Sequence, residues 1–464
     1  MSDVIDPTNV PAVRLPGFTT VGYAFAETGI NLVETVLRIY LLIYYTDVVG
    51  LHAGLAGLAV GIGLVWDAVT DPIMGAISDR TRDRFGGRRG YLPPGGVLLA
   101  VGLLGVFWPP ELASQAAKFA WLLGSFCFLN TGMTVLSVPY MAMAGELTQL
   151  PHERAVLFGW RFAFMNLGAL LAASLPALFL APGVANAATM RPVAVCGAVL
   201  VVVATLVSWL ATAGVPCQGP PSRAIAWSQA FAAPLRNAAF RPLLLAYVTA
   251  TVGIGLNSAT VLYYYQYRLH LTEAQVQSIL VVFLVVFTLS ILVWVHLARK
   301  HGRRLPMAIG ASLLGVGTAV LYTLAGPGSY WLVLLVGGVV LGGLVGCIVL
   351  IDTQLTFVID HDLVHNREPR AGQFFGVWRF ASKLARAAAI GAAGLVLDLA
   401  GFVPNAVQSA GVEQALWWLF GPGVGACFLL AGIVIANYRF EEQKQAQVQR
   451  ILARRQRRAL ASTN

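Results

Sequence analysis

Twelve apolar runs, each near the length that crosses a lipid bilayer, leave this chain few ways to fold. They lie at about 21–48, 51–77, 91–110, 117–143, 155–181, 190–214, 242–266, 272–297, 304–324, 330–358, 372–401 and 413–438. An α-helix of about 20 residues spans the hydrocarbon layer. Backbone in lipid must satisfy its own hydrogen bonds, so such runs read as helices. Charged residues are 11% of the 464 and hydrophobic ones 57%, whereas soluble domains are about 25% charged. The expected fold class is all-α integral membrane. The longest polar break, 215–241, holds Pro220-Pro221 with Arg223, Arg236 and Arg241, and splits the runs six and six. The expected organisation is a six-helix half at 1–214, a central loop at 215–241, a second half at 242–438 and a basic tail at 439–464.

The net charge of +10 is not a nucleic-acid signature, because the basic residues sit in short loops between apolar runs. One face of the bundle collects 23 Lys and Arg, among them Arg80, Arg82, Arg84, Arg88 and Arg89 after the second run; the other collects Lys118, Arg191 and Arg268. The positive-inside rule places the first face, and both termini, in the cytoplasm. Cys127, Cys196, Cys217, Cys347 and Cys427 are odd in number and lack CxxC spacing, so neither a disulfide framework nor a zinc site is expected. Residues 1–20 have acids and prolines but no basic n-region, which gives no cleavable signal peptide.

Ten charged residues, five acids and five bases, fall in the interior of the apolar runs, away from their ends, and charge in lipid is by default a functional hypothesis. Glu27, Asn31, Glu34 and Arg38 share one face of helix 1. Asp67 and Asp71 stand one turn apart in helix 2, with Thr70 between them and Pro72 after them. Thr131, Thr134 and Ser137 step along helix 4, Arg161 lies in helix 5, Asp352 in helix 10, and Arg379, Lys383 and Arg386 in helix 11. Two like charges one turn apart stay ionised only with a cation between them; otherwise one takes a proton. Carboxylate and hydroxyl oxygens suit a small hard cation, so Asp67 and Asp71 with Thr134 and Thr70 are the candidate cation, and if sodium-coupled metal, site. Pro72 also frees the Ala68 carbonyl from its helical donor. Glu34 and Arg38 can pair along their own helix or serve coupling and gating with Lys383. Asp79 is expected to brace the basic loop, Asp352 to be a packing or gate partner, and His361 and His365 to belong to a solvated loop.

No lysine follows a glycine, so no Walker A loop is present, and neither HExxH nor Gly-x-Ser-x-Gly occurs. These absences point away from an ATP-driven pump and from an enzyme. The second helix of each half closes on Gly-Arg-Arg, Gly87-Arg88-Arg89 and Gly302-Arg303-Arg304, an echo expected of a carrier built from repeats with its site at the midplane.

Several stretches resemble the glycoside–pentoside–hexuronide:cation symporters, a branch of the major facilitators. They are Tyr44-Tyr45-Thr46-Asp47-Val48-Val49-Gly50, Trp66 through Gly75, Val138-Pro139-Tyr140 with Glu146-Leu147-Thr148, Glu153-Arg154, and Phe374-Phe375-Gly376 leading to Lys383. The resemblance implies a major facilitator fold, two six-helix halves around a central cavity, with Asp67 and Asp71 as the coupling carboxylates, Thr134 as a cation-site hydroxyl and Lys383 facing them. It implies Arg161 as a sugar-site arginine and sets Trp378 where a polar sugar-site residue belongs. The family's two sugar-binding aspartates fall on Asn31 and Ser137. With both charges gone and Arg379 and Arg386 flanking Lys383, an anionic glycoside such as a hexuronide fits better than a neutral galactoside.

The expected activity is Na+- or H+-coupled uptake of a sugar, glycoside or hexuronide by alternating access in a bacterial inner (plasma) membrane. Candidate substrate-binding residues are Glu27, Asn31, Ser137, Arg161, Trp378 and Arg379. No cofactor beyond the coupling ion is expected; the partners are a small-molecule substrate and membrane lipid, not nucleic acid, and the carrier is expected to be a monomer. A lysolipid-type amphiphile is the alternative cargo, and a non-transporting membrane sensor the alternative class.

Overall fold

The computed structural model of the chain describes residues 15–80, 87–148, 151–179, 187–215, 234–366 and 370–438. Expectations for Arg14, Arg82, Arg84, Cys217, Arg223, Arg367, most of the central loop and the tail from Arg439 lie outside the described residues.

Helices α1 (Gly17–Ile43), α2 (Ala53–Arg80), α3 (Leu92–Phe107), α4 (Gln115–Leu147), α5 (Pro151–Ser174) and α6 (Ala187–Ala211) come first. They are followed by α7 (Phe240–Tyr263), α8 (Glu273–His301), α9 (Arg304–Leu324), α10 (Tyr330–Val364), α11 (Ala371–Leu399) and α12 (Ala410–Ala436). Eleven of the twelve expected spans are long and apolar enough to cross a membrane. The exception is α1, which carries Glu27, Asn31, Glu34 and Arg38 on one face and is deeply buried in the bundle.

The two sets of six correspond pair by pair. Helix α1 packs on α5 and α6, and α3 on α4 and α6; in the second set α7 packs on α11 and α12, and α9 on α10 and α12. The correspondence reaches the backbone at the ends of α1 and α7, where each helix widens into a π turn, Tyr44–Val48 and Tyr264–Arg268. In the first, the N–H of Val49 donates to the Tyr44 carbonyl and that of Leu51 to Tyr45; in the second, Leu269 donates to Tyr264 and Leu271 to Tyr265. Both turns exit through a left-handed residue, Gly50 (φ 70°) and His270 (φ 52°), a conformation that glycine adopts freely and histidine at some cost. The paired tyrosines do the same work in each half. Tyr44 and Tyr45 donate to the carbonyls of Phe107 and Val106 at the end of α3, both at 2.9 Å. Tyr264 donates to the carbonyl of Tyr322 near the end of α9 at 2.7 Å, and the Tyr265 hydroxyl meets that of Tyr322.

Among the described residues the halves are joined chiefly by three helix pairs: α2 with α11, α5 with α8, and α1 with α7. At the first, a Cβ on Gly57 would lie 3.0 Å from the Gly394 Cα, so two glycines permit a backbone approach no side chain would. At the second, Thr288 donates to Asn166 at 3.1 Å. At the third, the π turns meet. Thr46 Oγ1 lies 2.7 Å from the Tyr263 hydroxyl, Tyr267 donates to the Asp47 carboxylate, and Asn405 donates to the Asp47 carbonyl at 2.7 Å. Nearby, the Gln277 amide and Tyr40 hydroxyl are 3.1 Å apart. This latch lies at the end of the bundle opposite the Gly-Arg-Arg loops.

At the basic end, Arg88 bonds Glu146 of α4 at 2.5 Å and also Asp79, so Asp79 does brace the loop. Arg89 donates to the Trp209 carbonyl at 2.7 Å and stacks on that ring. In the second Gly-Arg-Arg, Arg303 lies over Phe357, and Arg304 donates to the Ala436 carbonyl as Arg89 does to that of Trp209.

Candidate cation and substrate site

Because Asp67 and Asp71 are one turn apart, α2 presents both to the same neighbours, α4 and α11. Helix α2 is fastened there by the Trp66 indole, which donates to Thr131 of α4 at 3.1 Å. The Lys383 ammonium enters from α11 and sits 2.6 Å from an Asp67 oxygen and 2.5 Å from an Asp71 oxygen. Its third contact is the Asp67 carbonyl at 3.4 Å. Three N–H donors thus face three acceptors. Thr134 Oγ1 is 3.0 Å from a carboxylate oxygen of each aspartate. One hydroxyl has one proton, so it donates to one carboxylate at a time. Thr70 Oγ1 donates to the Asp67 carbonyl at 3.2 Å and lies 3.3 Å from Thr134 Oγ1. The four candidate cation residues and Lys383 therefore form one cluster. It holds two negative charges against one positive, with Asp67 only 7% exposed.

A second cluster lies on the α1–α5 side. Arg161 donates to Glu27 through Nη2 at 2.5 Å and Nε at 2.9 Å, onto a single carboxylate oxygen. Asn31 donates to the other oxygen at 2.8 Å, one turn along α1. The guanidinium also lies over the rings of Tyr140, at 5.0 Å, and Phe158, at 5.2 Å. Tyr140 is fixed in turn: its ring stacks on Tyr23 at 4.5 Å and the two residues exchange hydroxyl-to-carbonyl bonds. Glu27, Asn31 and Arg161 are thus brought together. Ser137, half-buried one turn from Thr134 on α4, is on the same helix as Tyr140.

The third cluster joins α1 to α11. Glu34 pairs across the halves with Arg386 at 2.8 Å, rather than along its own helix with Arg38. Both side chains keep about a third of their surface open, 37% and 28%. Arg38 donates to Thr35 at 3.3 Å and its Nε is buried without a hydrogen-bond partner among the described residues.

The fourth is in the second half. Trp378 is buried, donates to Asp352 at 2.8 Å, and stacks on Tyr247 of α7 at 3.8 Å. Arg379, next in sequence, is exposed. Trp378 and Asp352 therefore form a bonded pair between α10 and α11, with the exposed Arg379 next to Trp378 in the chain. Sequence reasoning missed Tyr247, which belongs to an apolar run and carries no charge to mark it. It also missed Tyr23. Among the described residues no group of three His, Cys, Asp or Glu is placed to hold a metal, and the side chain of His365 lies outside them.

The family model for MFS/sugar transport proteins matches residues 22–442. The isoprimeverose transporter of Lactiplantibacillus pentosus is 24% identical over 445 residues, 92% of this chain and 91% of that one. A higher identity, 36%, is found with YagG of Escherichia coli (strain K12), but over 150 residues, so this match spans about a third, 32%, of each chain. Among solved structures, the bacterial homologue of the human lysosomal transporter Spinster, inward-facing and unoccupied, superposes with a TM-score of 0.66 over 92% of this chain and 98% of that one. At 15% identity that likeness shows the fold alone. The midplane charges, the paired halves and the family match converge: this chain belongs to the MFS/sugar transport family, in its glycoside–pentoside–hexuronide:cation symporter branch, and is a multi-pass membrane transporter, not an enzyme.

Proposed function

We propose that this protein couples Na+ or H+ to the uptake of a sugar, glycoside or hexuronide by alternating access, as a monomer with both termini in the cytoplasm. The observation behind the reading is the Lys383 ammonium seated between Asp67 and Asp71, with Thr134 touching both carboxylates. A tethered ammonium at a site of net charge −1 stands in for a mobile monovalent cation. Na+ can use the carboxylate, hydroxyl and carbonyl oxygens of Asp67, Asp71, Thr134 and Thr70; H+ needs only one carboxylate. Either releases part of the hold on Lys383 and so loosens α11 from α2. Glu27, Asn31, Ser137 and Arg161 from the first half, and Arg379 and Trp378 from the second, flank the cavity into which substrate binds, and the halves then rock about it.

Counterflow of labelled sugars, uronates and lysolipids in vesicles, with and without Na+ and at several pH values, tests the reading. Exchange of a sugar or uronate, stimulated by Na+ or by protons and losing that stimulation in Asp71→Asn, is expected. A response to neither ion with Asp67→Asn tolerated would instead fit a sensor, and exchange confined to lysolipids an amphiphile carrier.

A further inference from the structure

We infer that Arg38, Arg386 and Glu34 form a subsite for one monoanionic oxyanion of the substrate, and that one monovalent cation travels with one monoanion in a step that moves no net charge. This deepens the symport reading and rests on it.

The ten midplane charges fall into four groups. Asp67, Asp71 and Lys383 sum to −1. Glu27 and Arg161 cancel. Asp352 and Arg379 contribute one formal charge of each sign. Glu34, Arg386 and Arg38 sum to +1: Arg38 is close enough to both of the others to feel their charges, yet among the described residues Glu34 accepts from Arg386 alone. The empty midplane is therefore neutral, with a surplus negative charge in one place and a surplus positive charge in another.

The positive place has the chemistry of an oxyanion receptor. Two guanidinium forks stand near one carboxylate, and only one of them bonds it. Arg386 uses Nη1 on Glu34, and Arg38 uses Nη2 on Thr35 and leaves Nε unpartnered. A buried, unsatisfied N–H destabilises the fold unless a ligand meets it, and a planar fork suits a carboxylate, sulfonate or phosphate. Arg386 also lies one turn beyond Lys383 on α11 and is near enough to Asp67 to feel it. The cation and the anion thus act on adjacent side chains of one helix.

The matched pair p-nitrophenyl β-D-glucuronide and p-nitrophenyl β-D-glucoside, with lysophosphatidylglycerol as a lipid monoanion, tests this on purified full-length protein. Wild type is expected to bind the glucuronide roughly tenfold more tightly than the glucoside, the worth of about one charge-assisted hydrogen bond. Arg38→Gln brings that ratio to about one, and Arg38→Lys restores part of it. A preference that survives Arg38→Gln overturns the subsite and leaves symport standing, as does a preference for the glucoside. Arg38-dependent binding of lysophosphatidylglycerol alone supports the subsite and overturns the sugar reading. If Arg38→Gln does not fold, Arg38→Lys is read in its place: a preference weaker than that of wild type supports the subsite, and an unchanged one overturns it. Uptake of the glucuronide by wild type in proteoliposomes is expected not to change when a potassium diffusion potential is imposed; acceleration by an inside-negative potential overturns the one-to-one stoichiometry.

Discussion

The two halves of the bundle share a backbone plan and divide the charge between them. The first half supplies four of the five midplane carboxylates, Glu27 and Glu34 on α1 and Asp67 and Asp71 on α2. The second supplies Lys383, Arg386 and Arg379, all on α11. Repetition of helices builds the cavity, but complementary charge decides what happens when the halves move. Two ion-pair clusters, Asp67–Asp71–Lys383 and Glu34–Arg386, cross the boundary, whereas Glu27–Arg161 stays within one half and holds α1 to α5. On the proposed rocking motion, the crossing pairs must loosen. The internal pair need not.

That contrast can be broken from either side. The largest effect is expected for Asp71→Asn, which leaves Lys383 with Asp67 in a neutral pair and removes the surplus negative charge. Cation-driven accumulation in vesicles should fall about a hundredfold or more, on the scale of breaking a buried pair at about 3 kcal/mol, while exchange without a gradient persists. Equal loss of both would make Asp71 structural. Next is Arg386→Gln, which strands Glu34. Initial uptake rates should fall roughly tenfold to a hundredfold, and adding Glu34→Gln should recover a measurable part; a double variant as poor as the single one would mean the pair does not act as a unit. Thr134→Val removes a hydroxyl but no charge. The cation concentration for half-maximal uptake should rise about fivefold to tenfold, near 1 kcal/mol for one hydrogen bond, with the maximal rate kept. The smallest effect is expected for Tyr267→Phe in the latch. It removes one cross-half bond to Asp47, and a change of about twofold in the transport rate, without change in cation affinity, would sharpen the split between latch and site.

Much of the architecture was readable because each span is an apolar run closed by charge, and the failures have specific causes. The fourth run was expected to stop at 143, yet α4 continues to Leu147, because Glu146 is paired with Arg88 rather than solvated. The Gly-Arg-Arg echo marks corresponding places and, at its second arginine, a corresponding contact: Arg89 donates to the Trp209 carbonyl of α6 and Arg304 to the Ala436 carbonyl of α12. The truer repeat, the π turn, has no signature in a 3.6-residue period; its two copies share only a tyrosine pair and a later leucine, Tyr44-Tyr45 with Leu51 and Tyr264-Tyr265 with Leu271. At the site, spacing on one helix could show that Asp67 and Asp71 share a face. It could not choose for Glu34 between Arg38 four residues on and Arg386 in the other half. Only the packing of α1 against the second half, with α11 beyond it, settles that choice.

The position of Lys383 and Arg386 one turn apart bears on fidelity. On the proposed ledger, an empty carrier and a fully loaded one are both neutral at the midplane. A carrier holding only the cation bears +1, and one holding only the anion −1. Moving such a half-loaded state through the low-dielectric centre adds an uncompensated charge to the barrier, worth several kcal/mol or more. One helix that reads both cargoes would therefore suppress slippage without any separate gate, because futile cycling is slowed by electrostatics alone.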